Sequence, residues 1–266
     1  MSGADRERLH LVADPAPEVE QVPFDLLVPR GSGERPPLVV VHGVSAGSQA
    51  YFDAFGALAT RHRRALLVPD FERPRFTGYQ RLGGREGDLV AAHALFAALT
   101  AASARSEADF GRVDLVGFSG GAQFAHRFAM LYPGRVRRVV VAAAGWYTYI
   151  DPSRPFPFGS GPSAASGGRP VEADRFLQIP LRIVVGENDV KRDRMLRADP
   201  AIEAQQGPHR LVRGLRWFDH LVEESCRRGD EPRASFQLLP HTGHSFDEAM
   251  RRGGFGERAL AFFEAE

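Results

Sequence analysis

Val113-Asp114-Leu115-Val116-Gly117-Phe118-Ser119-Gly120-Gly121-Ala122 runs from a buried-strand pattern into a helix-like one through a serine set between glycines. Val113–Phe118 reads as a strand, and Ala122–Leu131 as the helix after it, ended by Pro133-Gly134. Gly117 to Gly121 fits G-x-S-x-G in the strand–turn–helix context that the motif requires. A nucleophilic serine here must occupy a tight turn that holds its hydroxyl clear of the backbone. Glycines two positions to either side let strand and helix approach without Cβ clashes. The helix N-terminus adds N–H groups that can face developing negative charge.

The same alternation extends in both directions. Leu38–His42, Ala65–Pro69, Val136–Ala144, Leu181–Gly186 and Ser235–Leu239 read as strands. Tyr51–Thr60, Asp88–Ser103, Leu211–Arg227 and Gly256–Glu264 read as helices between or after them. His10–Val12 and Val22–Val28 form candidate leading antiparallel strands. Near-continuous Val/Leu runs are what strands buried on both faces need. The expected class is α/β, a mostly parallel central sheet flanked by helices. Between Pro152 and Pro170, 13 of 19 residues are Pro, Gly or Ser. The strand–helix rhythm resumes afterwards, so this segment is read as a short lid insertion, about 146–178, within one domain spanning 1–266.

Composition narrows the function. The chain of 266 residues is 43% hydrophobic with a net charge of +1, which excludes disorder and a whole-chain polyanion binder. Nucleic acid is therefore not an expected partner. Cys226 is the only cysteine, so no intrachain disulfide and no Cys-based metal cluster can form. It sits in a charged stretch and is read as a helix bystander. MSGADRERLH lacks the apolar core of a secretory signal, and no apolar run approaches the ~18 residues that span a bilayer. A cytoplasmic protein with no membrane contact is expected. Lys191 is the one lysine among 34 basic residues. Most of the arginines are expected to pair with acidic neighbours at the surface, and Arg135, Arg137 and Arg138 lie at a strand start away from the site end.

A serine nucleophile needs a base, and the base an orienting acid. Asp189 follows Leu181–Gly186, and His244 follows the last strand, so the chain order Ser119, Asp189, His244 satisfies the requirement. Both positions lie where strand C-terminal ends converge. Glu187 and Asp151 are alternative acids, and His241 shares the His244 loop. His241-x-x-His244 has no nearby carboxylate or Cys partner, so no metal is expected. For the oxyanion, the backbone N–H of Gly120 and that of Val44, with Ser45 in reserve, are the expected donors. The Val44 loop reads His42-Gly43-Val44-Ser45-Ala46-Gly47. His42 is read as holding that loop. His93 and His126 are read as helix residues outside the chemistry.

These motifs, from LVVVHG through GFSGG and the Asp after LRIVVG to HTGHSF, resemble those of the α/β-hydrolase superfamily. The resemblance extends from about Val22 to Phe263. More narrowly, GFSGGAQFAHRFAMLYPGRVRRVVVAAAGWYT and the PFPFG stretch are similar to poly(3-hydroxyalkanoate) depolymerase-like and feruloyl-esterase-like hydrolases. The resemblance implies an α/β-hydrolase fold and a serine hydrolase that cleaves small-molecule carboxylic esters through an acyl-enzyme, without a cofactor. It also implies a cap after the fourth parallel strand. Here that insertion is short, so a comparatively open site is expected. Trp146 and Tyr147 are candidates to line it, with packing onto the core as their alternative, and Phe156 and Phe158 are read as packing residues. Competing readings on the same triad are a thioesterase, a peptidase or an acyltransferase, and a slow-turnover ligand receptor. The run Lys191-Arg192-Asp193-Arg194 and nearby Arg197 stand where they could touch a substrate. The alternative is a solvated charged loop.

Overall fold

The computed structural model describes residues 9–11, 21–45, 47–82 and 89–265. The expectations at Val12, Ala46 and Asp88 lie outside the described residues. In chain order the elements are β1 (Leu9–Leu11), β2 (Phe24–Leu27), β3 (Leu38–Val41), α1 (Ser48–Arg61), β4 (Leu66–Pro69) and α2 (Val90–Ala104). They continue with β5 (Val113–Phe118), α3 (Gly120–Leu131), β6 (Val136–Ala142), α4 (Ala173–Leu177) and β7 (Leu181–Gly186). The chain ends with α5 (Pro200–Gln206), α6 (Arg210–Arg227), β8 (Ala234–Leu239), α7 (Phe246–Arg251) and α8 (Phe255–Glu264).

One eight-stranded sheet in the order β1-β2-β4-β3-β5-β6-β7-β8 carries these helices. β1 and β2 are antiparallel, and every pairing from β4–β3 to β7–β8 is parallel. Val116 of central β5 pairs with Val40 on one side and Val140 on the other. Alternation along β3 explains the continuous apolar runs. Val39 and Val41 enter the core under α2, α3 and α6, with Leu95, Phe124, Phe128 and Trp217. Leu38 and Val40 enter the opposite core under α1 and α8, with Phe55, Phe255 and Leu260. Each such side chain contributes about 1.5–3 kcal/mol on burial, which is why both faces are apolar.

Three helices, α4, α5 and α7, are not marked by the pattern, although the caps of the last two are in the sequence. Asp199 accepts from the N–H groups of Ala201 and Ile202, and Pro200 opens α5. Ser245 accepts from the N–H of Glu248 to start α7. An oxygen at N-cap and proline at N1 are the ordinary chemistry of a helix start. All three helices are too short for apolar periodicity to be visible.

Many arginines form the expected surface pairs, among them Arg61–Glu257, Arg175–Glu172 and Arg251–Asp247, but a buried group departs from expectation. Arg64, Arg127, Arg210 and Arg213 are among the largest fully buried side chains. Arg64 pairs with Asp114, which sits in β5, and bonds the Pro36 carbonyl at 2.6 Å. Arg137 joins the same carboxylate at 2.5 Å, and Arg138 bonds the Phe262 carbonyl. Arg213 has carbonyl partners instead of a carboxylate: Gly207 at 2.8 Å, Gly145 at 2.7 Å and Arg197 at 3.1 Å. Five donors on a rigid plane let backbone oxygens satisfy a buried guanidinium. No helix among the described residues is long and apolar enough to cross a membrane.

The start of the insertion is pinned through a buried and a half-buried histidine. His126 on α3 donates Nδ1–H to the Ala122 carbonyl, and its Nε2 accepts the N–H of Thr148 at 3.1 Å. His220 accepts the Ile150 N–H at 2.9 Å. Both rings must be neutral to do this. Burial, the largest cause in each case, pushes both below the ordinary imidazole range; the neighbouring Arg127 adds to it at His126. The unfolded chain then binds more protons than the folded one below pH ~6.5, so stability is full above that pH and is lost as pH falls through it. Chemical unfolding is expected to show lower stability at pH 5.5 than at pH 7.5, by up to ~1.4 kcal/mol per histidine over the whole interval, since only the pH unit below ~6.5 contributes. Equal stability at the two values would contradict buried neutral rings.

Candidate active site

Ser119 occupies the sharp corner between β5 and α3 with φ 55° and ψ −111°, a strained conformation for a residue with a Cβ. Its N–H donates to the Ala142 carbonyl at 2.8 Å, and its carbonyl accepts the N–H of Gln123 at 3.1 Å. The corner is therefore over-determined from both sides, and the hydroxyl projects into an open cavity of about 480 Å³.

Ser119 Oγ lies 3.1 Å from His244 Nε2, and His244 Nδ1 lies 2.9 Å from Asp189 Oδ2. A carboxylate can only accept, so Nδ1 carries the proton and Nε2 is left free to accept from the serine hydroxyl. Asp189 is 1% exposed and His244 is a fifth exposed on its side chain. The imidazole also stacks on Phe118, with ring centroids 5.6 Å apart. The two loops that bring acid and base together are packed backbone to backbone. A Cβ on Gly186 would stand 2.3 Å from the Thr242 carbonyl oxygen, and the Asn188 N–H donates to that same oxygen. Glu248 Oε2 accepts the N–H of Gly243 at 3.2 Å and fixes the turn just before His244.

Arg210 holds the acid from behind. Its guanidinium lies 3.4 Å from Asp189 Oδ1 and forks onto Asp193 at 2.6 and 3.2 Å. The Arg210 hydrogen bonds hold the Asp193 carboxyl at about 2, well below its usual range. The alternative groups stand elsewhere. Glu187 accepts the backbone N–H of His241, whose own ring is exposed, and Asp151 caps Ser153. Cys226 is exposed on α6, and His93 is exposed on α2. Among the described residues no group of three or more His, Cys, Asp or Glu is arranged to hold a metal.

Val44 and Gly120 line the cavity beside Ser119, with Ser45 at its edge. A Cβ on Gly120 would stand 3.3 Å from the Val44 nitrogen, so Gly120 and the Val44 backbone lie side by side. The Val44 loop is held by its neighbours. Tyr51 Oη accepts the Gly43 N–H at 3.0 Å, Tyr79 Oη donates to the His42 carbonyl at 2.8 Å, and His42 Nε2 accepts the Phe71 N–H at 3.0 Å. His42 thus has the loop-holding position expected of it.

The two aromatic candidates separate. Trp146 lines the cavity, with the Arg127 guanidinium 4.0 Å from its ring centroid and that of Arg197 at 5.3 Å. Tyr147 does not line it. It is fully buried, stacks on Trp217 at 4.6 Å and exchanges two backbone hydrogen bonds with the Gln206 amide, so the chain direction after Gly145 turns its ring into the core. Of the insertion, only the start reaches the cavity. The remaining wall comes from Arg73, Gln80 and Arg81 after β4, a segment that no motif marks, from Gln123 on the expected helix α3, and from the stretch after β7. Of the basic run there, Arg194 and Arg197 line the cavity, whereas Arg192 pairs with Glu203 and Lys191 does not reach it.

No family model and no curated protein matches the sequence. Solved structures do match in fold. A poly(3-hydroxybutyrate) depolymerase from Bordetella parapertussis is 25% identical over 97% of this chain and 94% of its own, with a TM-score of 0.73. Poly(aspartic acid) hydrolase-1 from Sphingomonas sp. KT-1 is 23% identical over 98% and 97%, with a TM-score of 0.77. An S-formylglutathione hydrolase from Agrobacterium tumefaciens is 14% identical over 97% of both chains, with a TM-score of 0.57. The sheet order, its flanking helices and these likenesses give the chain the α/β-hydrolase fold. The likeness to the Bordetella depolymerase supports a hydrolase function.

Proposed function

We propose that this chain of α/β-hydrolase fold is a serine hydrolase that cleaves carboxylic esters of small molecules through an acyl-enzyme. The observation that carries the proposal is the unbroken hydrogen-bonded line Asp189–His244–Ser119 at 2.9 and 3.1 Å, ending on a strained serine in a cavity that Gly120 and Val44 also line. His244 Nε2 takes the hydroxyl proton as Ser119 Oγ bonds to the ester carbonyl carbon. The carbonyl oxygen becomes an oxyanion, which the N–H groups of Gly120 and Val44 stabilise, each donor worth about 2.7–4 kcal/mol of barrier. The imidazolium, oriented by Asp189, returns its proton to the departing alcohol and leaves an ester of Ser119. Water then adds to that ester with His244 as base, releasing the acid and the free hydroxyl. The Bordetella neighbour is a poly(3-hydroxybutyrate) depolymerase and the Sphingomonas neighbour a poly(aspartic acid) hydrolase; the choice of an ester as the bond cleaved follows the former, which has the higher identity of the two.

A serine-directed fluorophosphonate is expected to add one equivalent of mass at Ser119, with ester hydrolysis lost in step with labelling. Labelling at another serine, or full labelling without loss of turnover, would remove the mechanism.

A further inference from the structure

We propose that the cavity takes a substrate with a carboxylate on each side of the scissile ester, that is, an oligoester of a hydroxydicarboxylic acid. The proposal rests on the hydrolase reading and names its substrate class. Five arginines, Arg73, Arg81, Arg194, Arg197 and Arg210, line the cavity against a single carboxylate, Asp193. Two of the five are already engaged, Arg210 with Asp193 and Asp189, and Arg197 with Asp199 at 3.2 Å. Among the described residues Arg73, Arg81 and Arg194 have no carboxylate within salt-bridge distance. Beneath the floor, Arg127 is fully buried with no carboxylate partner and with Nη2 unbonded. Its bonds go instead to the Gln80 carbonyl, Gln123 and Thr148. A cleft lined by one sign of charge concentrates ligands of the other, and guanidinium forks onto carboxylates in two-point geometry.

The placement of the free arginines points to carboxylates on both flanks. Arg73 and Arg81 follow β4, and Arg194 follows β7. In the sheet order β4-β3-β5-β6-β7, the end of β5 that bears Ser119 lies midway between them. Cations therefore stand on either side of the bond to be cut. An acyl thioester of a nucleotide carrier has all its phosphates on the leaving-group side and would leave one flank unanswered. A chain with one carboxylate per repeat answers both.

The test uses the dimeric ester of malic acid, whose ester bond has free carboxylates on both sides, beside its counterpart capped as carboxamides. At 20 mM NaCl, kcat/KM is expected to favour the anionic dimer by roughly tenfold or more, and at 500 mM NaCl the preference is expected to shrink severalfold. Arg73→Gln, Arg81→Gln and Arg194→Gln combined should bring the ratio of the two rates toward one, with thermal melting unchanged as the check on folding. Equal rates in the parent, a preference that survives in the triple variant, or a better rate on an acyl-coenzyme A would overturn the proposal. If the parent hydrolyses neither dimer and no fluorophosphonate enters Ser119, the hydrolase reading fails. The inference then stands or falls on calorimetry of the anionic dimer with Ser119→Ala. Binding that weakens tenfold with salt or with the three arginine changes upholds it, and no binding refutes it.

Discussion

Ser119→Ala is expected to lower kcat for ester hydrolysis by about 10⁴- to 10⁶-fold, the scale found when a triad nucleophile is removed. The change deletes one oxygen and touches nothing else. Alanine tolerates φ 55° about as poorly as serine does, so the strain of the corner is unaltered. The bonds that fix the corner are backbone bonds, Ser119 N–H to Ala142 and Gln123 N–H to Ser119, and they remain. The melting temperature should therefore move by no more than a few degrees while turnover collapses. Residual hydrolysis, where detectable, comes from the Gly120 and Val44 amides and from His244 acting on water directly. Retention of more than about one per cent of parental kcat would mean that Ser119 does not form the acyl-enzyme, since positioning and oxyanion donors alone recover only ~10³–10⁴ over water.

Much of this was legible because its causes are local or periodic. The G-x-S-x-G corner, a strand end followed by an acid and a strand end followed by a histidine each leave a short signature. The parallel sheet leaves runs such as Leu38–Val41 because α2 and α3 cover one face and α1 and α8 the other. Tyr147 was misread because direction after a strand end is not periodic. Trp146 and Tyr147 are adjacent, and the Gln206 amide, 59 residues away, decides which ring faces the cavity. The same holds for Arg73 and Arg81, which only the order of strands brings to the cavity of Ser119. Surface pairing describes arginines such as Arg61, Arg175 and Arg251 but not all of them. Arg64, Arg127, Arg210 and Arg213 are buried where lysine would have too few donors, and Arg73, Arg81 and Arg194 line the cavity with no carboxylate partner among the described residues.

Gly121→Ala is expected to damage both fold and chemistry, because this glycine marks where α3 meets the strand that carries the Val44 loop. A Cβ there would stand 2.0 Å from the carbonyl oxygen of Val41 and 2.7 Å from that of His42. These are backbone atoms, so no rotamer change relieves the overlap, and α3 must move off β3. Overpacking of this kind costs about 1–3 kcal/mol or more, and at ~2–4 °C per kcal/mol the melting temperature should fall by roughly 5–10 °C. The displacement also separates the Gly120 amide from the Val44 amide, which leads directly out of Val41-His42-Gly43. A shift of about 1 Å between catalytic groups commonly costs ~10²-fold, so kcat/KM should drop on that scale even in the fraction that folds. Gly56→Ala is the control. Gly56 lies within α1, and its added Cβ would meet only Leu27 at 3.8 Å. Replacing glycine inside a helix removes a propensity cost of about 1 kcal/mol, so that variant should melt slightly higher with unchanged turnover. If Gly121→Ala behaves like Gly56→Ala, the close approach of α3 to β3 is not what holds Ser119 and its two amides in register.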